Sequence, residues 1–216
     1  MIKTFAIVPV KKFDNSKTRL SPMLDVDERI RLSSLMLNDT LSVLTGVQSL
    51  KQVIVVSGDT RAEEIATRHG VKFLLETREN GVNSAVKLGN DYSAERGVDA
   101  TLVIPQDLPL LDGVEVVKAC ELADSENRCI VICPSLRYDG TNLLIRKPPS
   151  VIKTYYDANS YETHIKAANE SGVPVKLVLS KKLMFDVDIP EDVKQIAKEV
   201  GGSRTLEFLK SKIDKF

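Results

Sequence analysis

The chain holds 216 residues, with 30 Lys and Arg against 30 Asp and Glu, 43% hydrophobic and 5% aromatic residues, and no Trp. Such a length builds one domain with a sizeable core, and the zero net charge excludes a nucleic-acid binder, which carries a basic excess. No apolar run approaches the ~20 residues needed to span a bilayer, and Met1-Ile2-Lys3-Thr4 lacks a signal-peptide layout. Cys120, Cys129 and Cys133 form no CxxC pair, so a reduced cytoplasmic setting without membrane contact or structural zinc is expected.

In chain order, the first β-rich run is Thr4–Val8. A long helical pattern follows from about Asp25 to Leu44, opened by a capping box of Asp25 and Glu28 and carrying Val26, Ile30, Leu37, Leu41 and Leu44 on one face. Further strands are expected at Val53–Val56, Val71–Leu75, Thr101–Ile104 and Cys129–Cys133, near-continuous in Val and Ile as in a parallel sheet covered on both faces. Helices at Arg61–His69, Asn83–Glu95 and Val114–Ala123 alternate with them, the first two closed by Gly70 and Gly97. Beyond Cys133 the rhythm changes. Ser135–Arg146 reads as a strand pair turning at Asp139-Gly140, Ser160–Ser171 as a helix stopped by Gly172, and Val175–Leu179 as a strand. Helical stretches at Glu191–Val200 and Thr205–Ile213 finish the chain. The alternation predicts right-handed βαβ units in a three-layer α/β/α sandwich with a mainly parallel mixed sheet.

In open α/β sheets ligands bind outside the carboxyl ends of the strands, so the segments just beyond each strand are where chemistry is expected. Beyond the first lies Pro9-Val10-Lys11-Lys12-Phe13-Asp14-Asn15-Ser16-Lys17-Thr18-Arg19, a basic loop without glycine, unlike a Walker A loop. Its Lys and Arg suit phosphate. Beyond the fourth lies Pro105-Gln106-Asp107-Leu108-Pro109, whose carboxylate suits magnesium, a cation held by one or two carboxylates together with phosphate and water. Asp112 is better placed than Asp107 to cap the next helix. Near the end, Phe185-Asp186-Val187-Asp188-Ile189-Pro190 offers a second carboxylate. On an extended segment its two Asp side chains diverge, so one can reach a metal while the other caps the helix with Pro190 in its first turn; Asp186 is the better ligand and Asp188 the better cap, and either remains open as the second metal ligand. Ser57-Gly58-Asp59, Glu79-Asn80-Gly81-Val82-Asn83 and Asp139-Gly140-Thr141-Asn142 are ligand contacts or turns by residue type alone. His69 and His164 are assigned no catalytic role.

Taken together, Pro9-Val10-Lys11, Lys17-Thr18-Arg19-Leu20, Gly81-Val82-Asn83, Asp107-Leu108-Pro109, Gly140-Thr141-Asn142 and Asp186 to Asp192 resemble the 2-phospho-L-lactate guanylyltransferase (CofC) family from about Phe5 to Asp192. The resemblance implies a GT-A-like nucleotidyltransferase fold, and a reaction joining GTP to 2-phospho-L-lactate with release of pyrophosphate, in biosynthesis of the deazaflavin coenzyme F-420. It implies a catalytic set of Lys17, Arg19 and Asp107, and magnesium on Asp107 and Asp186. Nucleotide contacts would come from Pro9, Val10, Lys11, Lys17, Arg19, Ser57, Gly81, Asn83, Pro105 and Asp107, and acceptor contacts from Thr141 and Ser160. Residues 1–133 would form a nucleotide-binding half, 134–190 an acceptor-binding half and 191–216 a pair of C-terminal helices. Two departures from the family pattern are Gln106 and Tyr156-Asp157-Ala158-Asn159 ahead of Ser160, where Asp157 brings negative charge towards an anionic acceptor.

The rival readings are the same fold with phosphoenolpyruvate, 3-phosphoglycerate or a sugar phosphate as acceptor, and a non-catalytic nucleotide-binding regulatory module. A glycosyltransferase is disfavoured because no DxD motif follows the central strand. The irregular region after Cys133 is the candidate surface for a homodimer.

Overall fold

The computed structural model describes residues 2–78, 80–196, 198–199 and 201–213. Its seven strands are β1 (Thr4–Val10), β2 (Leu50–Ser57), β3 (Lys72–Leu75), β4 (Ala100–Val103), β5 (Cys129–Pro134), β6 (Thr141–Lys147) and β7 (Val175–Leu177). They form one sheet in the order β3-β2-β1-β4-β6-β5-β7. β6 is antiparallel to both neighbours, β4 and β5, and every other pairing is parallel.

The period-2 alternation of β1 explains the layers. Ala6, Val8 and Val10 face a core shared with Leu37, Leu41 and Leu44 of α1 (Val26–Thr45), Ile65 of α2 (Thr60–Arg68) and Val116 of α4 (Gly113–Asp124). Phe5 and Ile7 face the other side, against Ala85 and Val86 of α3 (Val82–Ala94). Further along that side, α5 (Ser160–Glu170) covers Ile130, Ile132 and Leu144 with Ala168. Each such aliphatic side chain withdrawn from water contributes roughly 1.5–3 kcal/mol before the entropy of ordering it. Where α3 crosses β1 the helix carries Gly89, because a Cβ there would lie 2.7 Å from Ile7 Cγ2.

The last helices form a separate cluster. α7 (Pro190–Ile196) and α8 (Arg204–Ile213) bury Val193, Ile196, Leu206 and Leu209 with Leu32 and Met36 of α1. The short α6 (Lys181–Met184) precedes them. Asp25 caps α1 as expected, accepting from the Glu28 N–H while Glu28 accepts from the Asp25 N–H.

Four sequence expectations need correction. The arms of the hairpin are β5 and β6 themselves, so residues 135–140 are its turn rather than its first strand. Val26 is 52% exposed, because the apolar face of α1 reaches the sheet only one turn later. α7 ends at Ile196, and Val200, its expected last residue, lies outside the described residues. Val175–Leu179 is a strand only to Leu177. No helix among the described residues is long and apolar enough to cross a membrane.

Candidate active site at the rim of the sheet

The basic loop leaves the carboxyl end of β1 and is pinned before it reaches Lys17 and Arg19. Asp59, the N-cap of α2, accepts from the Phe13 N–H at 2.7 Å and binds the Arg61 guanidinium, which also reaches Asp14. Burial works to raise the Asp59 pKa, but its hydrogen bonds from Arg61 and Phe13 hold it below the usual range. Ser57 is fully buried and its hydroxyl accepts from the Asp59 N–H. Its side chain therefore anchors the loop from below.

Past this anchor the chain turns through Lys17 in the left-handed region, at φ 52 and ψ 34, a conformation that costs a non-glycine residue of order 1 kcal/mol. The turn buries Lys17 with only 6% of its side chain exposed, Nζ 2.5 Å from Asp107 Oδ2 and 2.9 Å from Asp188 Oδ1. Burial pushes the Lys17 pKa down, but the two carboxylates outweigh it and hold the ammonium above its ordinary value. Arg19, two residues on, remains exposed, as does Lys11.

Asp107 is placed by its backbone neighbours. The Thr40 hydroxyl of α1 donates to the Gln106 carbonyl at 3.0 Å, and the Val187 N–H donates to the Asp107 carbonyl at 3.2 Å. The second contact docks the acidic turn beside β4. Asp188 is not the cap of α7: its carboxylate is drawn to Lys17, and Asp192 reaches back to accept from the Asp188 and Ile189 N–H groups. The segment is irregular here, not a strand, and Asp186 and Asp188 both come within 4 Å of Arg137 instead of diverging.

Arg137, which residue-type reasoning passes over, completes the cluster. Its Nη1 lies 2.9 Å from Asp192 Oδ1 and its Nη2 3.3 Å from Asp186 Oδ2 and 3.9 Å from Asp188 Oδ2. Its position just beyond β5 is the same signal that picks out the basic loop and Asp107, hidden in the sequence because residues 135–138 read as the first strand of a pair turning at Asp139-Gly140.

Burial, together with the charges of Asp107 and Asp188, pushes the Asp186 carboxyl up to about 6, and Arg137 and Asn142 offset only part of this. Among the described residues no three His, Cys, Asp or Glu side chains form a ready-made metal cage, since Lys17 and Arg137 are interleaved with the carboxylates. The donor set still fits magnesium: hard oxygen ligands, too few to complete its shell alone, whose mutual repulsion a divalent cation would relieve.

Pro9, Val10, Lys11, Asn15, Glu76, Gly81, Val82 and Ala85 line a cavity of about 310 Å³ next to this cluster along the rim. Gly81 opens α3 at φ 84, where a side chain would be strained. Asn83 does not line the cavity. Its side-chain Oδ1 accepts from the Tyr156 N–H at 2.9 Å and its Nδ2 donates to Asp157 Oδ2 at 3.1 Å. Asp157 is thereby held by α3. Glu79 lies outside the described residues.

Thr141 and Ser160 are brought together, with 3.1 Å between their hydroxyl oxygens. His164 joins them. Its Nε2 accepts from the Tyr155 N–H at 2.9 Å, which leaves Nδ1 as the protonated nitrogen, donating to the Thr141 oxygen at 3.1 Å. Burial, reinforced by the Arg146 charge, lowers the His164 pKa to about 4, so the ring is neutral. With one lone pair of Thr141 taken by the imidazole, the two hydroxyls share one hydrogen bond and retain one proton to donate.

The chain as a whole is similar to known proteins. Residues 4–214 match the family model described as guanylyl transferase, CofC like. The phosphoenolpyruvate guanylyltransferase of Rubrobacter xylanophilus is 34% identical over 195 residues, 90% of this chain and 94% of its own. The 2-phospho-L-lactate guanylyltransferase of Methanothermobacter thermautotrophicus is 34% identical over 209 residues, 97% of this chain and 91% of its own. Among solved structures, a candidate nucleotide-diphospho-sugar transferase of Desulfovibrio desulfuricans G20 superposes with a TM-score of 0.78 at 19% identity, covering 98% of this chain and 95% of that one. A cytidylyltransferase of Leptospira borgpetersenii gives 0.61 at 14%, covering 100% and 95%. These likenesses establish the nucleotide-diphospho-sugar transferase fold.

Proposed function

The chain belongs to the CofC-like guanylyl transferase family, and on that premise we propose that it transfers the guanylyl group of GTP to 2-phospho-L-lactate, a step in coenzyme F-420 biosynthesis. The observation that carries this reading is the meeting of the basic loop, through Lys17, with Asp107 and Asp188 at one rim of the sheet. A metal–triphosphate complex needs both signs of charge at one place.

In the proposed reaction the acceptor's phosphate oxygen attacks the α-phosphorus of GTP and the bond to the β-phosphate oxygen breaks, releasing pyrophosphate. The acceptor phosphate is ionised near neutral pH, so the protein holds no proton at the nucleophile. Asp107 and Asp186 would hold magnesium, with Asp188 beside them, and the cation would neutralise phosphate charge. Lys17 stays protonated between two carboxylates and offsets charge on the departing pyrophosphate. Exposed Arg19 and Lys11 grip the outer phosphates. Pro9, Val10 and Gly81 give the guanine an apolar wall and close backbone approach within the rim cavity. Ser57, the last residue of β2, and Pro105, just beyond β4, support these loops. The remaining hydroxyl proton of Thr141 and Ser160 donates to the acceptor at the start of α5, where backbone N–H groups favour anions.

The names of the Rubrobacter and Sphaerobacter relatives favour phosphoenolpyruvate as the second reading of the acceptor. Both readings keep GTP, the leaving group and every side-chain role. The setting is proposed as cytoplasmic, consistent with three buried free cysteines. Pyrophosphate release from four nucleoside triphosphates against 2-phospho-L-lactate, phosphoenolpyruvate and 3-phosphoglycerate tests the proposal. GTP with 2-phospho-L-lactate should turn over fastest; no release with any phosphorylated acid would refute it.

A further inference from the structure

Arg137 has a position that the proposed reaction leaves unused. It is carried by the turn between β5 and β6, which is fixed at several points. The Leu136 N–H donates to the Met184 carbonyl at 2.9 Å, the Ser135 hydroxyl donates to Asp139 and accepts from the Gly140 N–H, and the Tyr138 ring meets Tyr161 of α5 edge-on at 5.8 Å. The turn therefore bridges the acidic segment on one side and the first turn of α5, with Ser160, on the other.

The Arg137 side chain is 38% exposed, and the contacts of its guanidinium are unequal. Nη1 holds Asp192 at 2.9 Å, a full hydrogen bond. Nη2 is shared between Asp186 at 3.3 Å and Asp188 at 3.9 Å, while Nε stands 3.9 Å from Asp139. Asp192 is the anchor, because it also ties down the Asp188 and Ile189 N–H groups and is largely buried. The Asp186 and Asp188 contacts are long, and these carboxylates belong to the charge cluster that a metal complex would engage. Once they are engaged there, one edge of the fork is left facing the reacting centre without a partner.

An acceptor whose phosphate lies at that centre has its second anionic group a few ångströms away. The other cations near the reacting centre, Lys11, Lys17 and Arg19, belong to the loop assigned to the nucleotide. Of the remaining Lys and Arg side chains of residues 134–190, Arg146 is buried against Ile152 and Thr101, Lys147 holds carbonyls at the end of α4, Lys176 pairs with Glu126, Lys181 with Glu199 and Lys182 with Asp112, Lys166 lies beside Glu170 on α5, and Lys153 is exposed in the segment ahead of α5, outside the Arg137–Asp186–Asp188–Asp192 charge cluster. A planar fork with two parallel N–H groups matches a carboxylate better than a point charge does.

We infer that Arg137, anchored by Asp192, grips the carboxylate of the phosphorylated acid and so makes the enzyme select phosphorylated acids over phosphorylated alcohols. The inference rests on the guanylyl-transfer reading for the identity of the acceptor, but not for the carboxylate–guanidinium contact itself.

The test compares 2-phospho-L-lactate with isopropyl phosphate, which has a methyl group in place of the carboxylate, on wild type, Arg137→Gln and Arg137→Lys. Arg137→Gln should lower kcat/KM for the phosphorylated acid by about 30- to 100-fold, leave isopropyl phosphate within about 3-fold, and leave the KM for GTP unchanged. Arg137→Lys should fall between. Calorimetric titration of both acceptors with magnesium and a non-hydrolysable GTP analogue gives the same comparison without turnover. Equal losses for both acceptors would reduce Arg137 to a structural ion pair and overturn the inference, as would a wild type that binds the two alike. Carboxylate-selective binding that Arg137→Gln abolishes, in a protein that releases no pyrophosphate from GTP, would sustain Arg137 and overturn the guanylyl-transfer reading instead.

Discussion

Lys17 and Asp188 meet at 2.9 Å although 171 residues separate them in the chain, and the same ammonium touches Asp107. A strained loop from the first strand is thus clamped to the acidic turn that precedes the last two helices. The cation holds the rim together and, in the proposed reaction, also offsets phosphate charge.

Lys17→Met should separate from Arg19→Ala on this ground. Removing Lys17 leaves two carboxylates facing each other and should cost about 2 kcal/mol, below the ~3–5 of a fully buried pair because Asp107 and Asp188 keep contact with water. Turnover should fall at least ~100-fold. Arg19 is exposed, so Arg19→Ala should raise the KM for GTP about 10-fold with no change in melting temperature. Urea unfolding and pyrophosphate-release kinetics on both variants check the contrast.

Asp186 is crowded by Asp107 and Asp188 more than it is helped by Arg137. Asp186→Asn should therefore stabilise the metal-free protein, by about 1 kcal/mol, while reducing pyrophosphate release at least ~100-fold. Asp107→Asn should abolish activity equally but, by releasing Lys17, should not stabilise. Thermal melts in the presence of a chelator distinguish the two; a lower melting temperature for Asp186→Asn would contradict the repulsion described.

His164 gives a pH signature. Its pKa is depressed in the folded chain to about 4, from 6.5 in the unfolded chain. The unfolded state therefore binds more protons between these values, and stability is complete above about 6.5 and is lost as pH falls towards 4. Between pH about 7.5 and about 5 the wild type should lose about 2 kcal/mol more than His164→Gln. Urea midpoints at the two pH values measure it; parallel losses would assign the acid sensitivity to other groups.

Gly89→Ala tests the approach of α3 to β1. The added methyl would meet Ile7 at 2.7 Å, a cost of about 1–3 kcal/mol. Ile7→Val in the same molecule should recover part of it, giving a coupling of about 1 kcal/mol in a double-mutant cycle.

The strands and helices of the first half are legible in the sequence because each carries its own period and its own stop, as at Asp25 and Gly70. The basic loop and Asp107 are legible because the carboxyl ends of parallel strands are where ligands collect. Arg137 is not, since a lone Arg in a turn looks like any solvated cation until Asp192 comes beside it. Asp188 misleads for a related reason: alternation along an extended segment predicts divergent side chains, and only the attraction of Lys17, from the far end of the chain, turns it inward. His164 reads as an isolated helix residue, because its partners Thr141 and Tyr155 sit on two other segments. Short-range rules see patterns along the chain; the site is made of contacts across it.

β6 runs against all its neighbours, and so presents its first residues, Thr141 and Asn142, at the rim where β1 and β4 present their last. The turn that feeds it, residues 135–140, begins and ends on strands paired to each other. It can be lengthened, shortened or rewritten without disturbing the register of β1, β2, β3 and β4. On the proposed reading of the acceptor end, a designer seeking a new acceptor would begin with those six residues and leave the rest of the sheet untouched.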